Sequence, residues 1–130
     1  MYIHIPLNIL IKFVIMLDIY SVKSIINDFS EKYNFIGQKD IEWIENSKFD
    51  IKNYNKIRGK KFVSIYEDQR NDTIEIEFGT ILINIDRLED GEEYYSIDKN
   101  ILFSINTVDF LYKETLIEEI IIKCKIYNLI

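Results

Sequence analysis

Hydrophobic residues occupy every odd position from Ile3 to Ile19: Ile3, Ile5, Leu7, Ile9, Ile11, Phe13, Ile15, Leu17 and Ile19. A period of two puts them on one face of an extended strand, so a strand is expected here rather than a helix. Pro6 cannot donate to a sheet ladder, which places the strand at an edge or breaks it there. Met16 is an alternative start, which would leave the first fifteen residues poorly anchored. Lys12 interrupts the apolar run, leaving it too short to cross a bilayer. The uncharged start and the lack of a small-residue cleavage site do not fit an export signal. From Ser21 the period changes. Val22, Ile25, Ile26, Phe29, Tyr33 and Ile36 have the spacing of one helical face, predicting a helix over about 21–36 with Asp18 or Ser21 as N-cap and Gly37 in the left-handed terminating turn.

Between Asp40 and Asn55 the pattern is ambiguous and reads as a short helix, through Ile41, Trp43 and Ile44, followed by a loop. Strand signals come next. Phe62 to Glu67 and Thr73 to Phe78 flank a polar turn at Asp68 to Asp72, and the apolar set of the second strand is Ile74, Ile76 and Phe78. Beyond Gly79 that set becomes Ile81, Ile83 and Ile85, a phase change of one residue that a β-bulge or a tight turn produces. Asp90-Gly91 suits a hairpin tip. Tyr94 to Ile97 and Ile101 to Ile105 continue the meander, joined at Asp98-Lys99-Asn100. Residues 114–128 fit two periods: Leu116, Ile117, Ile120, Ile121 and Cys124 make a helical stripe, whereas Ile120, Ile122, Cys124 and Ile126 alternate. Length, the caps available at Asn106 and Thr107, and the late Lys123 and Lys125 favour a helix.

The expected fold class is therefore α+β: a mostly antiparallel β-sheet of five to six strands, with the helix at about 21–36 and a C-terminal helix packed on it. At 130 residues, with 48% hydrophobic positions and no internal repeat or linker, residues 1–130 read as a single domain. Ile fills about a fifth of the chain and Ala none, which favours strands, although an AT-rich coding sequence produces the same bias.

A net charge of −6 argues against sequence-independent binding of nucleic acid, which needs Lys and Arg against phosphates. Cys124 is the sole cysteine, so an intrachain disulfide is impossible and a reducing, cytoplasmic location fits best. Its apolar neighbours mark a buried structural thiol. His4 is the sole histidine and reads as a surface or interface residue, so no catalytic Ser-His or Cys-His pair is expected. Gly37, Gly59, Gly79 and Gly91 are too scattered for a phosphate-cradling loop, and no EF-hand spacing occurs. Carboxylates that a divalent metal would need exist at Asp50, Glu75 and Glu77, a pattern that chance supplies readily among 22 acidic residues. No cofactor or metal site is assigned. The basic run Lys52, Lys56, Arg58, Lys60 and Lys61, interleaved with Tyr54 and Phe62, reads as a solvated turn before a phosphate or single-strand site. Trp43 reads as core.

The most concentrated feature is Asp86, Glu89, Asp90, Glu92 and Glu93, followed by Tyr94 and Tyr95. As a solvated tip, these charges would keep an edge from pairing with other chains. As a docking surface, they would steer a basic partner while the tyrosines supplied contact area. From this comes the leading expectation: a non-catalytic binding protein, a cognate immunity or inhibitor protein that neutralises a basic toxin or nuclease. Two other readings stay open. One is a metal-dependent nuclease or hydrolase; the other is a structural or homo-oligomerising subunit of a virus or mobile element, with the N-terminal strand as its interface.

Overall fold

The computed structural model describes residues 17–130. The alternating segment before Leu17, with His4 and Pro6, lies outside the described residues. The order is α1 (Ile19–Tyr33), α2 (Gln38–Glu45), α3 (Ile51–Ile57), β1 (Lys61–Asp68), β2 (Thr73–Arg87), β3 (Glu93–Asn106), a 3-10 turn (Thr107–Asp109) and α4 (Lys113–Ile126). This is an α+β fold with a three-stranded antiparallel sheet in the order β1-β2-β3.

Among the described residues three strands stand where five were expected, the sixth falling on the segment before Leu17, because two predicted breaks do not break the chain. Gly79 lies inside β2, and Asp98-Lys99-Asn100 lies inside β3, paired with Leu82, Ile81 and Thr80. The phase change at Gly79 does coincide with a β-bulge, one of the two expected causes, but the extra residue is on the partner strand. Phe78 pairs with Phe103 but Gly79 pairs with Ile101, so Leu102 is the extra residue of a bulge on β3. β2 itself continues in step, and alternate residues point to opposite faces. What changes along it is which face is covered. Ile74, Ile76 and Phe78 belong to one core with Val63, Phe103 and Ile105, closed by Val22, Ile25, Ile26 and Phe29 of α1 and by Leu116, Ile120 and Cys124 of α4. Ile81 points the other way, into a second core with Phe62, Tyr95, Ile41, Ile44, Tyr54 and Ile57 beneath α2 and α3. Gly79 sits at the crossover of the two cores. A Cβ there would collide with the Asn100 carbonyl and stand 2.8 Å from Phe62 Cε1, so close strand approach excludes any side chain.

α1 begins where predicted: Asp18 Oδ1 accepts from the Ser21 N–H at 2.7 Å, and this bond holds the carboxyl below its ordinary pKa. It ends earlier than expected. Asn34, with φ 60°, supplies the left-handed cap that the pattern assigned to Gly37, and Gly37, with φ −98°, instead precedes α2. Asn tolerates that conformation nearly as well as glycine does. The predicted loop after α2 contains a second helix, α3, opened by Asp50, whose carboxylate accepts from the Lys52 N–H. The C-terminal segment is helical, but α4 starts at Lys113 because Asn106 caps the 3-10 turn instead.

Lys61, at the head of β1, ties the helix ends together. Its Nζ donates to the Tyr33 carbonyl (2.7 Å) and the Leu129 carbonyl (2.8 Å), and lies 4.8 Å from the Phe35 ring centroid. An ammonium beside these two helix C-termini also faces the negative ends of their dipoles.

Candidate functional site

The sheet is longer than its helical cover. The β2–β3 hairpin runs past the second core and ends in a loop of residues 88–92. The loop is built locally: Leu88 N–H donates to the Glu92 carbonyl (2.7 Å), Gly91 N–H to the Leu88 carbonyl (3.0 Å), and Glu92 N–H to Asp90 Oδ1 (3.0 Å). Gly91 takes φ 86°, the positive angle that the Asp-Gly pair announces.

On this hairpin the seven residues singled out by sequence divide into three groups. Asp86, Glu89, Asp90 and Glu92 are exposed. Glu93 is half-buried and engaged, 3.9 Å from Arg87 Nη2 and accepting from the Tyr95 hydroxyl at 2.7 Å. An ion pair this exposed contributes little stability. Tyr94 is half-buried, whereas Tyr95 is only 6% exposed and belongs to the second core, its ring 5.5 Å from that of Tyr54. Strand alternation separates the neighbours: Tyr95 points to the core under α2 and α3, and Tyr94 points away. The bond to Glu93 raises the Tyr95 phenol above its ordinary pKa.

Beside Tyr94 stands the α2–α3 turn, which the pattern did not single out. Phe49 is 60% exposed and meets the Tyr94 ring edge-on at 6.0 Å. Lys48 Nζ lies 5.3 Å from the same ring, and the Lys48 carbonyl accepts the Tyr95 N–H at 2.9 Å. Trp43, expected in the core, is instead 64% exposed. α2 buries Ile41 and Ile44 against the sheet, and a residue two places from Ile41 falls on the opposite side of the helix. Isolated aromatics in an ambiguous segment carry no periodicity, so only the fold could place Phe49 and Trp43 outside.

The remaining chemical candidates are dispersed. Asp50 is committed to the α3 N-terminus, accepting also from Asn53 Nδ2 at 3.2 Å. Glu75 and Glu77 are half-buried on β2, alternating with residues of the first core. No three His, Cys, Asp or Glu side chains converge as metal ligands among the described residues. The aromatic partners of the basic run are withdrawn: Tyr54 and Phe62 are both fully buried, and Lys61 is held by carbonyls. Cys124 is on the buried face of α4, and desolvation pushes its thiol up to about 12, so at neutral pH it is a protonated packing group. No helix among the described residues is long and apolar enough to cross a membrane.

Comparison of the chain with protein-family models, with curated proteins and with solved structures gives no match.

Proposed function

We propose that the chain is a non-catalytic binding protein of the cytoplasm: an immunity or inhibitor protein that neutralises a basic toxin or nuclease through the end of the β2–β3 hairpin. One observation carries this reading: four exposed carboxylates, Asp86, Glu89, Asp90 and Glu92, lie on the same hairpin arm as Tyr94, against which exposed Phe49 is packed. The carboxylates supply long-range attraction that accelerates encounter with a positive surface. The aromatic pair supplies the desolvated contact that makes an encounter last. Glu93 and Tyr95, named with the others from sequence, support the hairpin from within rather than meeting the partner.

The test is association with a basic protein of the native host, beginning with the product of the neighbouring gene. The expected complex forms rapidly at low salt and weakens steeply as salt rises. Changing Asp86, Glu89, Asp90 and Glu92 together to their amides is expected to slow association at least about tenfold. Finding no basic partner, or a rate indifferent to both salt and the four substitutions, would remove the proposal.

A further inference from the structure

Beside the α2–α3 turn, behind the Tyr95 ring, stands a buried phenol. Tyr54 of α3 is fully buried, and its hydroxyl has no hydrogen-bond partner among the described residues. A buried donor left unpaired is costly, and a motion that wets it recovers that cost. The turn itself is lightly held against the sheet. Asn46, Lys48, Phe49 and Asp50 are all exposed, so the turn buries little apolar surface of its own. One backbone hydrogen bond ties it to β3, from the Tyr95 N–H to the Lys48 carbonyl, and Tyr95 is the residue whose ring lies against Tyr54. Across that seam the turn meets a single ring among the described residues, that of Tyr94, through Phe49 edge-on and through Lys48 Nζ at 5.3 Å. Its other bonds hold its two ends to the flanking helices: Ser47 Oγ donates to the Ile44 carbonyl of α2 at 2.7 Å and Asn53 Nδ2 of α3 donates to Ser47 Oγ at 3.3 Å, while within the turn Asp50 N–H donates to the Ser47 carbonyl at 3.0 Å. A segment held at its two ends and weakly tied to the strand between them can lift from that strand without unfolding its neighbours.

We propose that residues 46–50 form a strap that lifts from β3 in a local opening, far short of unfolding, and that the unpaired Tyr54 hydroxyl makes this opening easy by gaining water when the strap rises. The strap stands independently of any partner. It also carries Phe49, so its position sets the shape of the surface beside the hairpin.

Amide hydrogen exchange on the whole chain, read by NMR with and without low concentrations of urea, tests it. The Tyr95 amide is expected to exchange faster than that of Ile76 in the middle of the sheet, and with little dependence on urea, as local openings do. Phe49→Ala, which loosens the strap without touching either core, is expected to speed Tyr95 exchange several-fold and leave Ile76 unchanged. Tyr54→Phe, which removes the unpaired hydroxyl, is expected to slow Tyr95 exchange about fivefold. The strap is overturned if Tyr95 follows Ile76 in its urea dependence, or if Phe49→Ala leaves Tyr95 unmoved. It is equally overturned if Tyr54→Phe leaves the rate unchanged or raises it, since the hydroxyl would then be satisfied beneath a closed strap.

Discussion

The two ends of the sheet are built on opposite principles. At the β1 end, helices α1 and α4 lie over one face, their stripes meet Ile74, Ile76, Phe78, Phe103 and Ile105, and Lys61 joins the ends of both helices. At the hairpin end, cover passes to the other face and to shorter helices, the core holds a phenol unpaired among the described residues, and the last residues of β2 and the loop of residues 88–92 are exposed. The bulge at Leu102 and the bare backbone of Gly79 mark the exchange. The first region is organised to hold the fold together; the second leaves a strand pair and a turn exposed. This division explains how a small domain can project a charged arm without losing its core: the arm is an extension of strands already fixed at the other end.

The sharpest way to break the comparison is to hollow the anchored end. Phe78 is fully buried, stacked on Phe103 at 4.8 Å and edge-on to Phe29 and Phe35 at 6.0 and 5.9 Å. Phe78→Ala is expected to cost about 3–5 kcal/mol in a urea titration, enough to leave the chain largely unfolded if its stability is ordinary. A loss near 1 kcal/mol would mean that this end does not carry the fold. A smaller effect is expected at the joint. Lys61→Met keeps the aliphatic stem but removes the donor shared by the Tyr33 and Leu129 carbonyls, at a cost of about 1.5–3 kcal/mol by the same titration. If that variant is as stable as the parent, water serves the two helix ends equally well and the joint is not a tie.

How much of this could be read from sequence follows the same division. The stripe of α1 was legible because one helical face meets one sheet face, so burial follows a single period from Val22 to Phe29. The stripe of α4 was legible for the same reason through Leu116, Ile120 and Cys124, although alternation at Ile122 and Ile126 competed with it; both of those residues proved exposed. The strands were harder. A change of covered face looks in sequence like the end of a strand, and polar residues on an uncovered face, such as Asp98 and Asn100, look like a turn. The local pattern records burial, and here burial switches sides within one strand. The acidic hairpin tip was legible through Asp90-Gly91, but the separation of Tyr94 from Tyr95 needed the register, and Phe49 reaches Tyr94 only through a contact across more than forty positions.

The smallest expected effect tests the other side of the comparison. If the arm is an extension and not a support, removing its charges should leave the fold intact. In the variant with Glu89→Gln, Asp90→Asn and Glu92→Gln, the amide at position 90 can still accept the N–H of residue 92, which is the one hydrogen bond these carboxylates make within the turn. None of the three faces an opposite charge, since Arg87 lies against Glu93, which is left in place. What is lost is repulsion among like charges on one short loop, which if anything opposes the fold. The melting temperature is therefore expected to stay within about 2 °C of the parent, or to rise slightly at low salt, where screening is weakest. A large fall would show that the tip helps to hold the sheet, and its carboxylates would then need a structural explanation before a binding one.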